Sequence, residues 1–262
     1  RSQRGDIASG TENNQTKTYT YDKAGRLTNA TIGSNTYAYG FGAQSASCTG
    51  SNQNPTSGKN SNRTSQTLNG QSTTYCYDQA DRLTSSTDPQ ANTPTYDPHN
   101  NITQIGTNPT PLKLRYDSSD RNTGLEQYGT TGNGKAVYYS RDVQGRITGR
   151  YAYDITNWAW IESNKSFHGH TGSGDSPDYI RDNNWNITEK YLQLPGGVLL
   201  TIRPTEGDAN KKKTYSLPNI HGDIFATTNA SGQLQTTTLT GPFGEKVTGQ
   251  ANPNNTTTGT TF

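Results

Sequence analysis

Hydrophobic and polar residues alternate in short runs along the chain, and each run ends at a turn signal. The clearest run is Tyr19–Thr28, which places two tyrosines at positions i and i+2 immediately before Asp22. Side chains two residues apart share one face of a β-strand, whereas Asp starts a turn by accepting a hydrogen bond from the backbone two residues on. Gly25 then takes a position that favours positive φ. The run predicts a strand, a tight corner and a returning strand that opens with Arg26 and Leu27.

The same pattern recurs, so the chain contains an internal repeat. The second copy is Tyr75–Thr84, in which Asp81 takes the place of Gly25. Later copies follow at spacings of 96 − 77 = 19 and 116 − 96 = 20 residues, a period that suits two strands plus turns rather than paired helices. The residues that define the repeat are Tyr21, Asp22, Gly25, Arg26, Tyr77, Asp78, Arg82, Tyr96, Asp97, Tyr116, Asp117, Gly145 and Arg146.

Two further copies, Tyr139–Thr148 and Tyr179–Thr188, read as the same motif with its Asp displaced by two residues. Their aspartates, Asp142 and Asp182, precede turn residues and are interpreted as turn formers rather than as a general acid/base pair. One hairpin cannot bury its tyrosine face alone, whereas stacked neighbours can. We therefore predict an all-β fold of antiparallel β-hairpin repeats that form a curled or spiralling sheet, as an open arc or a small barrel.

The regularity of the repeat predicts the domain organisation. Residues 1–157 are expected to form the repeat sheet, with a long loop between Cys48 and Cys76. Residues 158–249 are expected to form a degenerate closing β region, which includes two strands joined at Pro195-Gly196-Gly197 and a strand pair within 224–239. Residues 250–262 read as a flexible tail, and the whole as one continuous architecture. We also expect the chain to be a piece of a longer polypeptide.

The composition favours a folded chain over a disordered one, although only 27% of the residues are hydrophobic. The chain has 16 Tyr, 5 Phe and 3 Trp, whereas disordered chains are poor in aromatic residues. A formal net charge of +2 provides no electrostatic footprint for nucleic acid, and the basic run at 211–213 reads as a solvated loop. No apolar run approaches the ~20 residues of a membrane span.

The repeat residues resemble those of the RHS/YD-repeat family, which includes bacterial rearrangement-hot-spot and wall-associated YD proteins, the C component of insecticidal toxin complexes, and animal teneurins. The Tyr-Asp-x-x-Gly-Arg-Leu form at 21–27 is the hallmark of that family, and 217–223 and 241–245 are similar to segments near the end of its repeat region. The resemblance implies a sheet strip that spirals into a hollow shell, which encloses a C-terminal toxin in toxins and forms part of an adhesive ectodomain in teneurins. No residues here match the family's self-cleaving segment, so no catalytic aspartate is carried over from it.

The secreted or cell-surface location that the resemblance implies favours a disulfide between Cys48 and Cys76 over two unpaired thiols. Other candidate chemistry is weaker. His168 and His170 lie at i and i+2, but no third strong metal ligand stands at a fixed offset, so no metal site is predicted.

Trp158 and Trp160 are the best candidates for a carbohydrate-binding platform, because aromatic faces stack on sugar rings. The preferred interpretation is that both pack against the inner face of the sheet, since aromatic residues at a period of two are typical of a buried face.

These observations together predict a structural β-shell segment of a secreted bacterial protein that encapsulates or presents a toxin or another C-terminal cargo. We expect no enzymatic activity, no catalytic residue and no cofactor. The expected partners are the rest of the chain's own polypeptide or shell and the cargo, with self-association through unpaired sheet edges. The alternative is a surface adhesin or carbohydrate-binding scaffold that contacts surface glycans, and a glycosidase or peptidase ranks last.

Overall fold

The computed structural model describes residues 9–247, except 13–14, 51, 90, 108, 220–221 and 246. Within this part of the chain the regular structure is almost entirely β-strand, arranged in two antiparallel sheets. The prediction of an all-β fold built from antiparallel hairpins is therefore confirmed. The predicted tail at 250–262 lies outside the described residues.

The first sheet follows the order of the chain, so each strand pairs with the strand before and after it. Its strands are β1 (Ser9–Glu12), β2 (Gln15–Tyr21), β3 (Leu27–Ile32), β4 (Asn35–Gly40), β5 (Ser65–Leu68), β6 (Gln71–Tyr77) and β7 (Leu83–Ser86). A 3-10 helix, Ser57–Asn60, lies in the connection between β4 and β5.

The second sheet also follows the order of the chain. Its strands are β8 (Thr95–Tyr96), β9 (Ile102–Ile105), β10 (Leu112–Tyr116), β11 (Asn122–Tyr128), β12 (Gly134–Arg141), β13 (Ile147–Thr156), β14 (Ala159–Gly169), β15 (Tyr179–Arg181), β16 (Ile187–Gln193), β17 (Leu199–Ile202), β18 (Lys213–Pro218), β19 (Ile224–Thr228) and β20 (Leu234–Thr237). A 3-10 helix, Pro195–Gly197, and the short helix α1, Ala209–Lys212, lie in its connections.

The chain divides into two compact units, one containing Lys17–Lys165 and the other continuing from Ser166. The division falls inside β14. The predicted boundary between residues 157 and 158 coincides instead with the two-residue turn that precedes β14.

Tyrosine and small residues fill much of the space that Leu and Ile occupy in most β proteins. The buried apolar side chains of the first unit include Ala30, Ile32, Tyr37, Tyr39, Tyr75, Cys76, Ala136, Val137 and Ile155. In the second unit, Ala226 and Leu239 are buried. Because Tyr carries a polar hydroxyl at the end of an apolar ring, this core depends on hydrogen bonds as well as on apolar burial.

Two predicted strand pairs in the second unit are confirmed. β16 and β17 pair antiparallel on either side of Pro195–Gly197. β19 spans the predicted Ile224–Thr228 and pairs with β20.

Two loop predictions are wrong. The loop expected between Cys48 and Cys76 is shorter, because β5 and most of β6 lie in that interval and the irregular connection spans only 41–64. The basic run at 211–213 is not a loop either. Its first two residues end α1, which Asp208 caps by accepting a hydrogen bond from the Asn210 backbone N–H at 2.9 Å, and its third begins β18.

Candidate functional site

The repeats turn at corners, and most of these corners are built around one carboxylate. At the first corner, Asp22 Oδ1 accepts hydrogen bonds from the backbone N–H groups of Ala24 at 2.9 Å and Arg26 at 3.0 Å. Asp22 Oδ2 accepts from Arg26 Nε at 2.7 Å, and Gly25 has a φ of 80°. The backbone N–H of Asp22 donates to the Arg26 carbonyl, and that of Gly25 donates to the Asp22 carbonyl. One side chain thus pairs the donors that a tight turn would otherwise leave unsatisfied.

Nine corners in the described part of the chain share this backbone. The residue that opens a corner, such as Asp22, is position 1. Its N–H donates to the carbonyl of position 5, and the N–H of position 4 donates to the carbonyl of position 1. Position 4 has positive φ. The corners begin at Asp22, Asp78, Asp97, Asp117, Asp142, Asp182, Asn219, Asn229 and Gly241. The predictions that Asp opens the turn, and that Gly25 and Asp81 occupy positive-φ positions, are confirmed.

The structure corrects the interpretation of the two displaced copies. Asp142 and Asp182 occupy position 1 of ordinary corners, so neither is displaced. Arg141 and Arg181 instead replace the second tyrosine of the motif, and Arg141 Nη1 donates to the Gly145 carbonyl at 2.8 Å. The residue before the Asp is free to change because the corner geometry depends on positions 1, 4 and 5.

The side chain at position 5 also reaches the next corner. Arg82, which pairs with the Asp of its own corner, extends Nη1 to Asn100 Oδ1 at 2.8 Å, and its guanidinium carbon lies 5.3 Å from the Tyr96 ring centroid. Asn101 Nδ2 donates in the same way to Asp120 Oδ1 at 2.8 Å. At the third corner, Tyr-Asp therefore has two functions: Tyr96 contacts Arg82 of the preceding corner, and Asp97 fixes its own corner.

The 41–64 connection fills the position of a missing corner between the first and second corners. Arg26 Nη1 donates to the Gly58 carbonyl at 2.7 Å, and the Arg26 guanidinium carbon lies 4.4 Å from the Phe41 ring centroid. Phe41 thus takes the place beside Arg26 that Tyr96 takes beside Arg82. On the other side of the connection, three side-chain amides donate to the Asp81 carboxylate at 2.8–3.1 Å, those of Asn54, Asn60 and Asn62. The connection thus makes the contacts that a corner would make.

The predicted disulfide is present. Cys48 and Cys76 are bonded, with their Cα atoms 5.4 Å apart. The bond joins the 41–64 connection to β6, and the Asn54 backbone N–H donates to the Tyr77 carbonyl at 2.8 Å beside it. The disulfide therefore holds the connection in line with the corners.

Hydrogen bonds stabilise five corner carboxylates in their charged form, those of Asp22, Asp78, Asp97, Asp117 and Asp142. Burial would raise the pKa of Asp78, but hydrogen bonds from the Arg82 side chain and from the backbone N–H groups of Arg82 and Ala80 outweigh burial and lower the pKa below its ordinary value of 3.8. The pKa of Asp22 is lowered by the corresponding donors of its own corner, the Arg26 backbone N–H and side chain and the Ala24 backbone N–H. Carboxylates held this way accept hydrogen bonds well and are poor general acids.

The structure places the two predicted tryptophans in an exposed group, not against the inner face. Trp158 occupies the turn between β13 and β14 at a φ of 66°, and 67% of its surface is exposed. Trp160, in β14, is 42% exposed. The interpretation of a buried aromatic face is wrong because Trp158 belongs to a turn rather than to a strand.

A buried glutamate anchors two of the rings beside these tryptophans. Glu126 accepts hydrogen bonds from Tyr138 Oη at 2.6 Å, Tyr128 Oη at 3.0 Å and Arg115 Nε at 2.8 Å, and only 2% of the residue is exposed. Burial would raise the pKa of Glu126, but these three donors lower it, so the side chain is a carboxylate at neutral pH. Burial and the hydrogen bond to Glu126 raise the pKa of Tyr138.

The second unit contains a similar group around Glu189. Tyr191 Oη donates to Glu189 Oε2, and Arg203 Nε donates to Glu189 Oε1 at 2.8 Å. Both groups combine a Glu and a Tyr at i and i+2 with an Arg, which lies in the neighbouring strand β10 for Arg115 and directly after β17 for Arg203. The Glu-x-Tyr spacing is visible in the sequence and would have identified both groups, whereas the Arg partners depend on strand register.

A concavity of about 670 Å³ lies beside the Glu126 group in the first unit. Its lining is both polar and apolar, and it includes Lys113, Arg115 and residues of the corners that begin at Asp97 and Asp117. His99 Nδ1 lies 3.0 Å from Asp120 Oδ1 there. The concavity therefore offers both hydrogen-bond donors and acceptors.

The other candidate residues, His168 and His170, belong to the second unit. Asp178 Oδ2 accepts a hydrogen bond from Thr171 Oγ1 at 2.6 Å, which closes the segment after His170. No cluster of three or more His, Cys, Asp or Glu side chains suited to a metal occurs among the described residues. No helix in the described part of the chain is long and apolar enough to cross a membrane.

Comparisons with known proteins give similarities to solved structures alone. No family model and no curated protein matches the chain. The TcdB2-TccC3-Cdc42 structure matches 90% of this chain at 15% identity with a TM-score of 0.48, and TcdB2-TccC3 without its hypervariable C-terminal region matches 91% at 13% identity with a TM-score of 0.46. The Photorhabdus luminescens Tc holotoxin pore matches 88% at 12% identity with a TM-score of 0.33. This chain covers 12%, 14% and 18% of those chains, respectively. Similarity at this level assigns neither a family nor an activity to the chain.

Proposed function

We propose that this chain is a structural wall segment of a secreted bacterial tyrosine–aspartate repeat protein, and that the wall encloses or presents a C-terminal cargo from the same polypeptide. The observation that carries the proposal is the side-chain link from one corner to the next, exemplified by Arg82 and Asn100. A row of linked corners resists separation of neighbouring hairpins, which is the mechanical requirement of a wall.

The proposal includes the absence of catalysis by the repeat residues. The repeated Asp side chains accept hydrogen bonds from their own turns, and the Arg side chains at position 5 pair with them. Hydrogen bonds of this kind, made within each turn, support a role of these groups in stabilising the fold. The Tyr-Asp-x-x-Gly-Arg-Leu resemblance supports the same assignment.

Protection of the cargo from protease tests the proposal. The natural polypeptide is digested, and the survival of its cargo segment is compared with that of the segment produced alone. The cargo segment is expected to survive longer in the intact polypeptide than alone. Its survival time is expected to shorten when Arg82→Gln and Asn101→Ala remove two links between corners. Val143→Ser is the matched control, because Val143 lies in a corner, is 94% exposed and links to no other corner in the described structure.

Two results would overturn the proposal. One is a cargo segment that is digested equally fast inside and outside the polypeptide. The other is turnover of a polysaccharide or peptide by the purified chain that Asp142→Asn abolishes, since the corner aspartates would then be catalytic.

A further inference from the structure

A group of five aromatic rings in the first unit, of which two tryptophans are exposed and three tyrosines are half-buried, has no role in the linked corners. We define the aromatic patch as Tyr128, Tyr138, Tyr153, Trp158 and Trp160. Neighbouring ring centroids lie 5.7–6.5 Å apart, and most of the rings are tilted or edge-on to one another. Exposed aromatic surface of this kind is unfavourable in water and marks interaction sites on soluble proteins.

The backbone at Trp158 violates a local preference. Asn157 and Trp158 form the two-residue turn between β13 and β14 with φ values of 50° and 66°. Gly, Asn and Asp suit such positions, whereas a bulky side chain at positive φ is strained. The chain therefore carries a strained and largely exposed Trp where Gly would fold more easily. Trp185 shares this strain, so the strain supports a functional role for Trp158 only together with the rings that surround it.

The patch is also held rigid. The Trp158 ring lies against Gly132, where an added Cβ would approach Trp158 Nε1 to 2.4 Å, so only glycine leaves room for the ring. Tyr128 and Tyr138 are fixed by their hydrogen bonds to the buried Glu126. Rings fixed before binding lose little conformational entropy when a ligand arrives.

The polar groups beside the patch indicate the chemistry of the ligand. Lys113 Nζ lies 5.4 Å from the Tyr128 ring centroid, and Arg115 bonds Glu126, so both residues belong to the patch border and to the walls of the 670 Å³ concavity. The lining carries charges of both signs, with Lys113 and Arg115 facing a concavity that Asp97, Asp117 and Asp120 also line. Glu126 offsets the charge of Arg115, and Arg121 offsets that of Asp117. The border therefore offers directional donors and acceptors without a strong charge of one sign.

From this geometry we infer that the aromatic patch and the adjoining concavity bind a polysaccharide chain that carries little net charge. The C–H groups on one face of a sugar ring carry positive partial charge and pack against the negative face of an aromatic ring. Sugar hydroxyls both donate and accept hydrogen bonds, which matches the walls of the concavity. The inference does not depend on the wall function, because the patch lies outside the links between corners.

Affinity electrophoresis of the full chain in gels that contain hydroxyethyl cellulose, xylan or glycol chitin tests the inference. Migration of the natural chain is expected to be retarded by at least one polysaccharide. Trp158→Gly is expected to weaken retardation about tenfold or more, since central aromatic residues dominate binding. Because Gly suits the positive φ of the turn, loss of binding in this variant is not explained by misfolding.

Trp185→Gly is the matched control. Trp185 is also exposed, at 62%, and also has positive φ, at 64°, but it stacks on Phe167 in the second unit. Its replacement is expected to leave retardation unchanged. The inference is overturned if no polysaccharide retards the natural chain, or if both Gly variants behave alike. It is also overturned if light scattering shows a dimer that Trp158→Gly dissociates, because a second copy of the chain would then cover the patch.

Discussion

Two corners of this chain perform the same task with different chemistry. At Asp78, the carboxylate accepts from the Ala80 and Arg82 backbone N–H groups and pairs with the Arg82 side chain, with Nε to Oδ2 at 2.8 Å. At Asn229, the side-chain oxygen accepts from the backbone in the same way, and Nδ2 donates to Gln233 Oε1 at 2.9 Å. If corners are interchangeable units, the uncharged pair should function at the charged position.

The perturbation is therefore a double-mutant cycle of Asp78→Asn and Arg82→Gln. Breaking a buried ion pair lowers the free energy of unfolding by about 3–5 kcal/mol. The Arg82 side chain is 36% exposed, so water solvates its charge once the pair is broken, and we expect Asp78→Asn to lower the free energy of unfolding by about 2 kcal/mol. Arg82→Gln is expected to cost about 2 kcal/mol, because the Asp78 carboxylate keeps its backbone donors while the contacts to Asn100 and Tyr96 are lost. The double variant regains an amide pair and should also cost about 2 kcal/mol, which gives a favourable coupling of about 2 kcal/mol.

Urea unfolding followed by circular dichroism at pH 7 measures the free energy of unfolding of the four proteins in this cycle. The matched control is the exposed pair Lys135–Asp154, with a 3.7 Å separation, for which the cycle Lys135→Gln and Asp154→Asn should show coupling below about 0.5 kcal/mol. A coupling near zero at the corner, equal to that of the control, would refute the interchangeability of the two corner types.

Three further results are expected. Reducing the Cys48–Cys76 disulfide, which spans a sequence separation of 28, should lower the free energy of unfolding by about 3.6 kcal/mol from loop entropy, and an unchanged urea midpoint after reduction would contradict this. Gly58→Ala should cost about 1–3 kcal/mol, because its Cβ would lie 2.1 Å from the Gly42 carbonyl oxygen, while Gly172→Ala, with no atom within 4 Å, serves as the neutral control in the same assay. The lowered pKa values of Asp22, Asp78, Asp117 and Asp142 contribute stability above their ordinary pKa of 3.8, so the urea midpoint should fall as the pH drops from about 5 to 3 and stay flat from 7 to 5.

The corners and hairpins were predictable from the sequence. Each corner is closed by hydrogen bonds that span at most four residues, so Asp22, Gly25 and Arg26 carry the information within one short run. The Arg pairing with Asp at i+4 recurs in four corners and was overlooked, although it is equally local. With two cysteines in the chain, the pairing that the resemblance favoured was the only disulfide available.

The tertiary structure alone decided what the corners contact. The link from Arg82 to Asn100 spans 18 residues, and the 41–64 connection reaches both Arg26 and Asp81, because strand register and twist bring separate turns side by side. The position of Trp158 also depended on the tertiary structure. Alternation in the sequence favoured a strand at Trp158, but the pairing of β12 with β13 ends at Gly134 and Ile155, and the chain turns just after it. Hydrogen bonds within a turn are encoded in neighbouring residues of the sequence. The partners of a side chain across the sheet depend instead on the register of every strand pair that lies between the two residues.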